Sequence, residues 1–317
     1  MTDCDQEGKE RPPEAACTTV PGAAALDVRG LTYRFDPDSL LFDNLSFSIQ
    51  KGEFVSLLAP SGVGKTTLFR LIAGLLEPDA GEIRLSGGEP GLPGAGAGAG
   101  AGAQTGAGTG SGLTAPPRGK PKRLGLAGYM PQRDGLMPWR TVLDNAALGL
   151  EVAGMPKGEA RRRVRELLPS FGLEQSAYRL PAELSGGMRQ RVSFLRTLLA
   201  GQELLLLDEP FSALDAMTRL DMQEWLLQVW EEHRKTILFI THDVDEALFL
   251  SDRVLVACTS PIGRLEEFRV PLERPRKSEA MLDASLLPAK REILRLLRAG
   301  KAGEQNTGEP EEGGGRV

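Results

Sequence analysis

An α/β fold built on a mainly parallel sheet is predicted by three features of the sequence. Short, continuously apolar runs stand at 54–58, 204–207, 237–240 and 254–257. Runs that brief, without alternating polar positions, fit strands covered on both faces. Residues 65–75, 157–168, 187–200, 216–233 and 288–297 carry apolar side chains at helical spacing, so strands and helices alternate along the chain. The first strand runs through a glycine-rich loop straight into the first helix, which fixes where a ligand site belongs.

Composition divides the chain before any motif is read. Residues 1–24 are rich in Pro, Ala, Thr and acidic groups and read as a disordered lead-in to a domain spanning 25–275. Within it, 86–121 centre on GAGAGAGAGAQTGAGTGSG, which lacks the side chains to offset backbone entropy and reads as a flexible insertion. Such loops cost only about 0.6 kcal/mol per doubling of length, so the insertion is expected to be tolerated rather than functional. Residues 276–300 are expected to add a C-terminal helix, and 301–317 an unstructured end.

Net charge weighs against some functions. The 317 residues carry −5 formal charge, so the basic surface of a typical nucleic-acid binder is absent and no nucleic-acid partner is expected. Three cysteines (Cys4, Cys17 and Cys258) are too few and too scattered for a disulfide framework or a zinc site. Cys258 ends an apolar run and is expected to be buried. No run approaches the ~20 apolar residues that span a bilayer, and no signal peptide is read at the N-terminus.

The loop after the first strand is Ala59-Pro60-Ser61-Gly62-Val63-Gly64-Lys65-Thr66-Thr67. Strand, loop and helix in that order make a phosphate-binding P-loop. Glycines let backbone N–H groups close on phosphate oxygens, and the helix adds the positive end of its dipole. Lys65 would reach the β- and γ-phosphates and Thr66 would offer a hydroxyl to Mg²⁺. Ala59 stands where the consensus has its first glycine, at little cost if its φ is negative and with strain if it is positive. Downstream, four leucines end in Asp208-Glu209-Pro210. Beside a P-loop, Asp208 is the expected Mg²⁺ partner and Glu209 the group that polarises the attacking water.

The segment Leu184-Ser185-Gly186-Gly187-Met188-Arg189-Gln190 carries the LSGG signature, and with it the chain resembles the ABC ATPase family. Further elements follow the family's order: Gln132 in YMPQ, Ser212-Ala213-Leu214-Asp215, and His242 in FITHD. Phe35 sits where the family stacks an aromatic ring on adenine, with Tyr33 the nearby alternative. The resemblance implies a P-loop NTPase fold of the ABC type, with a parallel core sheet, an antiparallel β subdomain and a helical subdomain at 133–190. It also implies two copies sandwiching two ATP molecules. Ser61, Gly62, Val63, Gly64, Lys65, Thr66 and Thr67 of one copy would meet each nucleotide from one side. Ser185, Gly186 and Gly187 of the other would meet it from the opposite side. Gln132 would sense the nucleotide and join Thr66 and Asp208 around Mg²⁺, His242 would hold the γ-phosphate, and Asp215 would communicate between copies.

Three stretches narrow the resemblance: GLMPWRTV at 135–142, FSALDAMTR at 211–219 and THDVDEALFLSDR at 241–253. They look like bacterial importers of nitrate, sulfonates, taurine and thiamine precursors, although members commonly carry Gly at the position of Ser212. The resemblance implies a membrane permease, a separate extracytoplasmic solute-binding protein and a place at the cytoplasmic face of the membrane. Leu136, Met137, Pro138 and Trp139 form an apolar patch expected to receive a helix of the permease; burial of Trp139 in the subdomain core is the competing expectation. A soluble ABC ATPase and a P-loop kinase are the rival functions. Only one cassette, no sustained heptads and an otherwise idle LSGG signature weigh against them.

Overall fold

The computed structural model describes residues 24–37, 39–60, 62–86 and 123–305. Ser61, Cys4, Cys17, nearly all of the lead-in at 1–24 and of the insertion at 86–121, and residues 306–317 lie outside the described residues.

Three antiparallel strands come first in the chain: β1 (Ala24–Asp36), β2 (Ser39–Gln50) and, after the first parallel strand and helix, β4 (Ala80–Leu85), in the order β2-β1-β4. Alternation in β1 buries Leu26, Val28 and Leu31, interrupted by irregular register around Gly30. The second sheet has the order β5-β6-β7-β3-β8-β9, comprising β3 (Phe54–Leu58), β5 (Ala127–Met130), β6 (Leu204–Asp208), β7 (Thr236–Thr241), β8 (Arg253–Ala257) and β9 (Leu265–Arg269). The first five in that order pair in parallel, and β9 closes the edge antiparallel to β8. Strands β3, β6 and β7 are buried at every residue, which is why they read as unbroken apolar runs.

Helix α1 (Lys65–Ile72) follows β3, and α5 (Ala216–His233), α6 (Val244–Leu250) and α7 (Leu287–Gln305) flank the sheet. The helical subdomain is made by α2 (Val142–Val152), α3 (Lys157–Leu167) and the start of α4 (Gly186–Leu199). Its core joins Leu143, Ala147, Val164, Phe171 and Leu195. Helix α4 runs nine residues past the boundary at 190, from the signature to the turn before β6, so it belongs to both parts.

The C-terminal expectation is corrected. No continuous helix fills 276–300: tight 3-10 turns occupy Ser278–Leu282 and Ala284–Leu286, and the α-helix starts at Leu287. The Asp283 carboxylate accepts the Ser285 N–H and starts the second turn, breaking the run. The helix continues to Gln305, so the unstructured end expected from 301 begins no earlier than 306. Arg276, a charged residue in a proline-bounded segment, is 7% exposed and donates to the carbonyls of Phe249, Ser251 and Leu272 at 2.7–2.9 Å, capping the end of α6. Cys258, expected to be buried, is only half-buried.

Candidate functional site

The carboxyl ends of β6, β7 and β3, adjacent in the parallel sheet, gather the chemistry. From β3 the chain enters the glycine loop, where Gly62 and Gly64 take φ of 91° and 96°. A side chain there would sit in a backbone region that only glycine enters freely. A Cβ on Gly64 would also press on Leu41 and Phe42 of β2 at 3.4 Å, so the antiparallel sheet abuts the loop. Ala59 lies outside the left-handed region, which among non-glycine residues holds only Asn44, Glu209 and Arg234 within the described chain. The alanine therefore imposes no backbone strain, which settles the alternative left by the sequence.

Lys65, the first residue of α1, folds back over the loop. Its Nζ donates to the carbonyls of Ala59 at 2.9 Å and Pro60 at 3.0 Å and lies 3.6 Å from Glu209 Oε1. Burial holds its pKa below the usual lysine value, against the pull of Glu209 and Asp208. Asp208, 3% exposed at the end of β6, is pushed above the usual carboxylate range by desolvation, partly offset by hydrogen bonds from Thr66 and Tyr129. The Tyr129 hydroxyl donates to Asp208 Oδ2 at 3.3 Å, and its own pKa is raised to about 12 by burial and by that carboxylate.

Glu209 is the node of the cluster. Its φ of 44° is costly for a side-chain-bearing residue, on the order of 1–3 kcal/mol, and such strain gathers at functional sites. Neighbours hold it there. Its N–H donates to Ile240 O at 3.0 Å, and its carbonyl accepts from the Ser212 hydroxyl at 2.9 Å. One carboxylate oxygen faces Lys65; the other lies 3.4 Å from both Gln132 Nε2 and His242 Nδ1. Gln132 also reaches Ser212 Oγ at 3.5 Å. The arrangement sets a carboxylate, a cation, an imidazole and an amide around one opening beside a loop shaped for phosphate.

A second group lies at the starts of α4 and α5. Ser185 caps α4 by accepting the Met188 N–H at 3.3 Å, and Asp215 caps α5 by accepting the Thr218 N–H at 3.0 Å. Those backbone and side-chain bonds from Thr218 hold the Asp215 carboxyl below its usual pKa. A Cβ on Gly186 would meet Leu214 at 3.1 Å and one on Gly187 would meet Thr218 at 3.0 Å, so the signature packs closely on the second cap. Among the described residues, no hydrogen bond joins Ser185, Gly186, Gly187 or Asp215 to the Glu209 cluster.

Phe35 stands 67% exposed at the end of β1, on the sheet that abuts the loop, while Tyr33 is half-buried and packs against the core. Trp139 is 75% exposed, which removes the competing expectation that it fills the subdomain core; Leu136 packs against that core from the side. Residues after Gln132 are pinned to α4: Arg189 pairs with Asp134 at 3.1 Å, and Arg196 donates to the Asp134 and Gly135 carbonyls at 2.8 Å. Arg196, Ser212 in its latch on Glu209, and Tyr129 went unassigned in the sequence, where only their nearness to motifs marks them.

The donors fit Mg²⁺. Thr66, Asp208 and Gln132 offer oxygen, and Asp208 is a buried carboxylate whose charge its neighbours offset only in part. Among the described residues no group of three or more His, Cys, Asp or Glu gathers as a metal cage. Mg²⁺ takes one or two carboxylates and completes its shell with phosphate and water, and Asp208 is the buried carboxylate this site offers.

Comparison with known proteins bears on this geometry. The family described as ABC transporter matches residues 42–212. The chain is 42% identical over 278 residues to the aliphatic sulfonates import ATP-binding protein SsuB 1 of Rhodococcus jostii, covering 87% of this chain and 95% of that one. It is 38% identical to the formylaminopyrimidine import ATP-binding protein ThiZ of Halalkalibacterium halodurans, over 78% of this chain and 86% of the relative. Among solved structures it is similar to the ATP-binding cassette MJ0796, a dimer in a post-hydrolysis state with ADP and Pi. That match has a TM-score of 0.59 and 25% identity, covering 78% of this chain and all of the other. The cbiO1 subunit of Clostridium perfringens matches with a TM-score of 0.62 and 24% identity, over 89% and 99% of the two chains, and shows the shared fold.

Proposed function

We propose that this chain, which belongs to the ABC transporter family, is the ATP-hydrolysing subunit of an importer and works as a dimer on a membrane permease. The observation that carries the reading is the convergence of Lys65, Gln132 and His242 on the Glu209 carboxylate beside the phosphate loop.

In this reading Phe35 stacks on adenine, and Lys65 leaves the Ala59 and Pro60 carbonyls for the β- and γ-phosphates. Backbone N–H groups of the 61–67 loop close on the same oxygens. Thr66, Asp208 and Gln132 hold Mg²⁺, which when bound neutralises charge on the β- and γ-phosphate oxygens. Glu209 accepts the hydrogen bond of the attacking water, and His242 orients the γ-phosphate. Ser185, Gly186 and Gly187 of a second copy complete the site from the far side, and Asp215 reports across the interface. Closure is a population shift toward the state that binds ATP more tightly.

No helix among the described residues is long and apolar enough to cross a membrane. In this reading the chain is held peripherally by the permease, at the cytoplasmic face, in keeping with relatives named as ATP-binding subunits of importers. Exposed Trp139, with Leu136 and Met137, receives a permease helix. The cargo is a small solute of the sulfonate, nitrate, taurine or thiamine-precursor kind, in keeping with relatives named for sulfonate and formylaminopyrimidine import. An extracytoplasmic binding protein delivers it.

Glu209→Gln tests the reading. The variant keeps the side chain's shape and is expected to bind ATP, dimerise on a sizing column with ATP and Mg²⁺, and turn over at least about a hundredfold more slowly. Turnover at the wild-type rate would remove Glu209 from its role.

A further inference from the structure

We propose that Glu246 is a positioning residue for His242, tying the loop that carries the histidine to helix α5; this rests on the reading of His242 as part of the site. The imidazole is largely exposed, and its contact with Glu209 is a long 3.4 Å. Its direction is therefore set by its backbone, and the residues on either side are held by one interlocked set of bonds.

Glu246 lies in α6 and is 6% exposed. One carboxylate oxygen accepts from the Thr241 hydroxyl, and the other accepts from Gln223 Nε2 of α5 at 3.0 Å. The same Thr241 Oγ1 accepts the Asp243 N–H at 3.0 Å, and the Asp243 carboxylate accepts the N–H groups of Asp245 at 2.9 Å and Glu246 at 3.2 Å. Thr241 and Asp243, the two neighbours of His242, are thus both anchored, directly or in one step, to the Glu246 side chain. Removing that carboxylate would free the Thr241 hydroxyl and loosen the turn on which the histidine stands.

The anchor reaches further through α5. Arg219, one helical turn before Gln223, donates from Nη2 to the Leu214 carbonyl at 2.9 Å, in the segment that ends at Asp215. Leu214 in turn underlies Gly186 of the signature. One face of one helix therefore holds both the segment expected to meet a second copy and the carboxylate behind His242. Displacing the start of α5 would move both.

Burial is the largest influence on Glu246 and raises its pKa. The Thr241 and Gln223 hydrogen bonds lower it, Asp243 raises it and Arg219 lowers it. A carboxylate set at such cost between three elements, without a direct ion pair, is poor stabilisation, since apolar residues of similar volume commonly serve a core as well or better. Its value lies in direction: it accepts two bonds from fixed angles on two elements.

The test compares Glu246→Ala, Glu246→Gln, Gln223→Ala, His242→Ala and the Glu246→Ala/His242→Ala double variant. Each is measured for kcat and KM with ATP and Mg²⁺. Glu246→Ala is expected to lower kcat about 10- to 100-fold while KM for ATP moves less than about threefold. Glu246→Gln, whose amide oxygen can still accept from Thr241, is expected to restore most of the rate. Adding Glu246→Ala to His242→Ala is expected to cost nothing further, because both act through one group. Full kcat in Glu246→Ala, or losses that multiply in the double variant, would overturn the proposal while leaving His242 in its role. Wild-type turnover in His242→Ala would instead remove the reading on which it rests. If Glu246→Ala does not fold, Gln223→Ala deletes one donor to the same carboxylate and is expected to lower kcat about three- to tenfold at constant KM. An unchanged kcat there would overturn the proposal equally.

Discussion

Replacing Ala59 by glycine restores the first residue of the P-loop consensus, and the structure predicts that it weakens the protein without improving the enzyme. Ala59 is 3% exposed and lies outside the left-handed region, so its methyl group is buried at no backbone cost. Removing it forfeits about 0.8 kcal/mol of apolar burial. The glycine also gives the unfolded chain more freedom, worth about 0.4–1 kcal/mol. Together the loss is about 1–2 kcal/mol, which lowers Tm by roughly 2–7 °C in a domain of this size. The Ala59 atom that meets Lys65 is the backbone carbonyl, which glycine retains. KM for ATP and kcat are therefore expected to stay within about twofold. Thermal unfolding and steady-state ATPase assays of the purified variant read both quantities. A glycine variant of higher Tm, or one whose KM falls by more than about threefold, would show that Ala59 is strained and refute the reasoning.

Three further outcomes are expected. Arg276→Ala leaves three α6-end and neighbouring carbonyls without their donor inside the protein, so denaturant unfolding should show a loss of about 3–5 kcal/mol. A change below about 1 kcal/mol would mean that water replaces the guanidinium freely. Glu246 has its pKa raised by burial from 4.5, so the folded state holds that proton more tightly than the unfolded chain. Its contribution to stability therefore grows as pH falls toward the ordinary carboxylate range and is lost as pH rises through the raised value. Glu246→Gln should accordingly be at least as stable as wild type at pH 8, with its advantage shrinking toward pH 4.5; an advantage that grows on acidification would reverse the sign. Trp139→Ala removes a largely exposed ring, so stability should change by less than about 0.5 kcal/mol while capture of the permease falls at least about tenfold. Undiminished capture would place the permease elsewhere.

What the sequence showed and what it hid divide along physical lines. Strands buried on both faces need no alternation, so β3, β6, β7 and β8 stood out within a residue at either end. Helix α5 spans the range read from the sequence, whereas the cap that Asp215 provides at its start was not read there. The antiparallel sheet came only with the family resemblance, since irregular register breaks the alternation of β1. The C-terminal helix was placed too early because Asp283 stops a run whose composition is helical on both sides.

In the site, residue identity named Lys65, Asp208 and Glu209, because their chemistry requires them after a glycine loop and a buried strand. Sequence spacing could not show that Glu209 takes a left-handed backbone, or that Ser212 latches its carbonyl. The first goes with the bond from the Glu209 N–H to Ile240 of β7, distant in the sequence, and the second with the local turn that brings Ser212 back to the Glu209 carbonyl. Glu246 escaped notice for a similar reason. An acidic residue in a short helix reads as solvated until the structure sets Thr241 and Gln223 against it.

The central claim, an ATP motor serving a membrane permease, is tested most directly by tagging Glu209→Gln, expressing it in native membranes, solubilising gently with ATP and identifying what co-purifies. The account predicts a multi-spanning permease recovered together with two copies of this chain. Recovery of ribosomes or nucleic acid, or of this chain with no membrane partner, would contradict it.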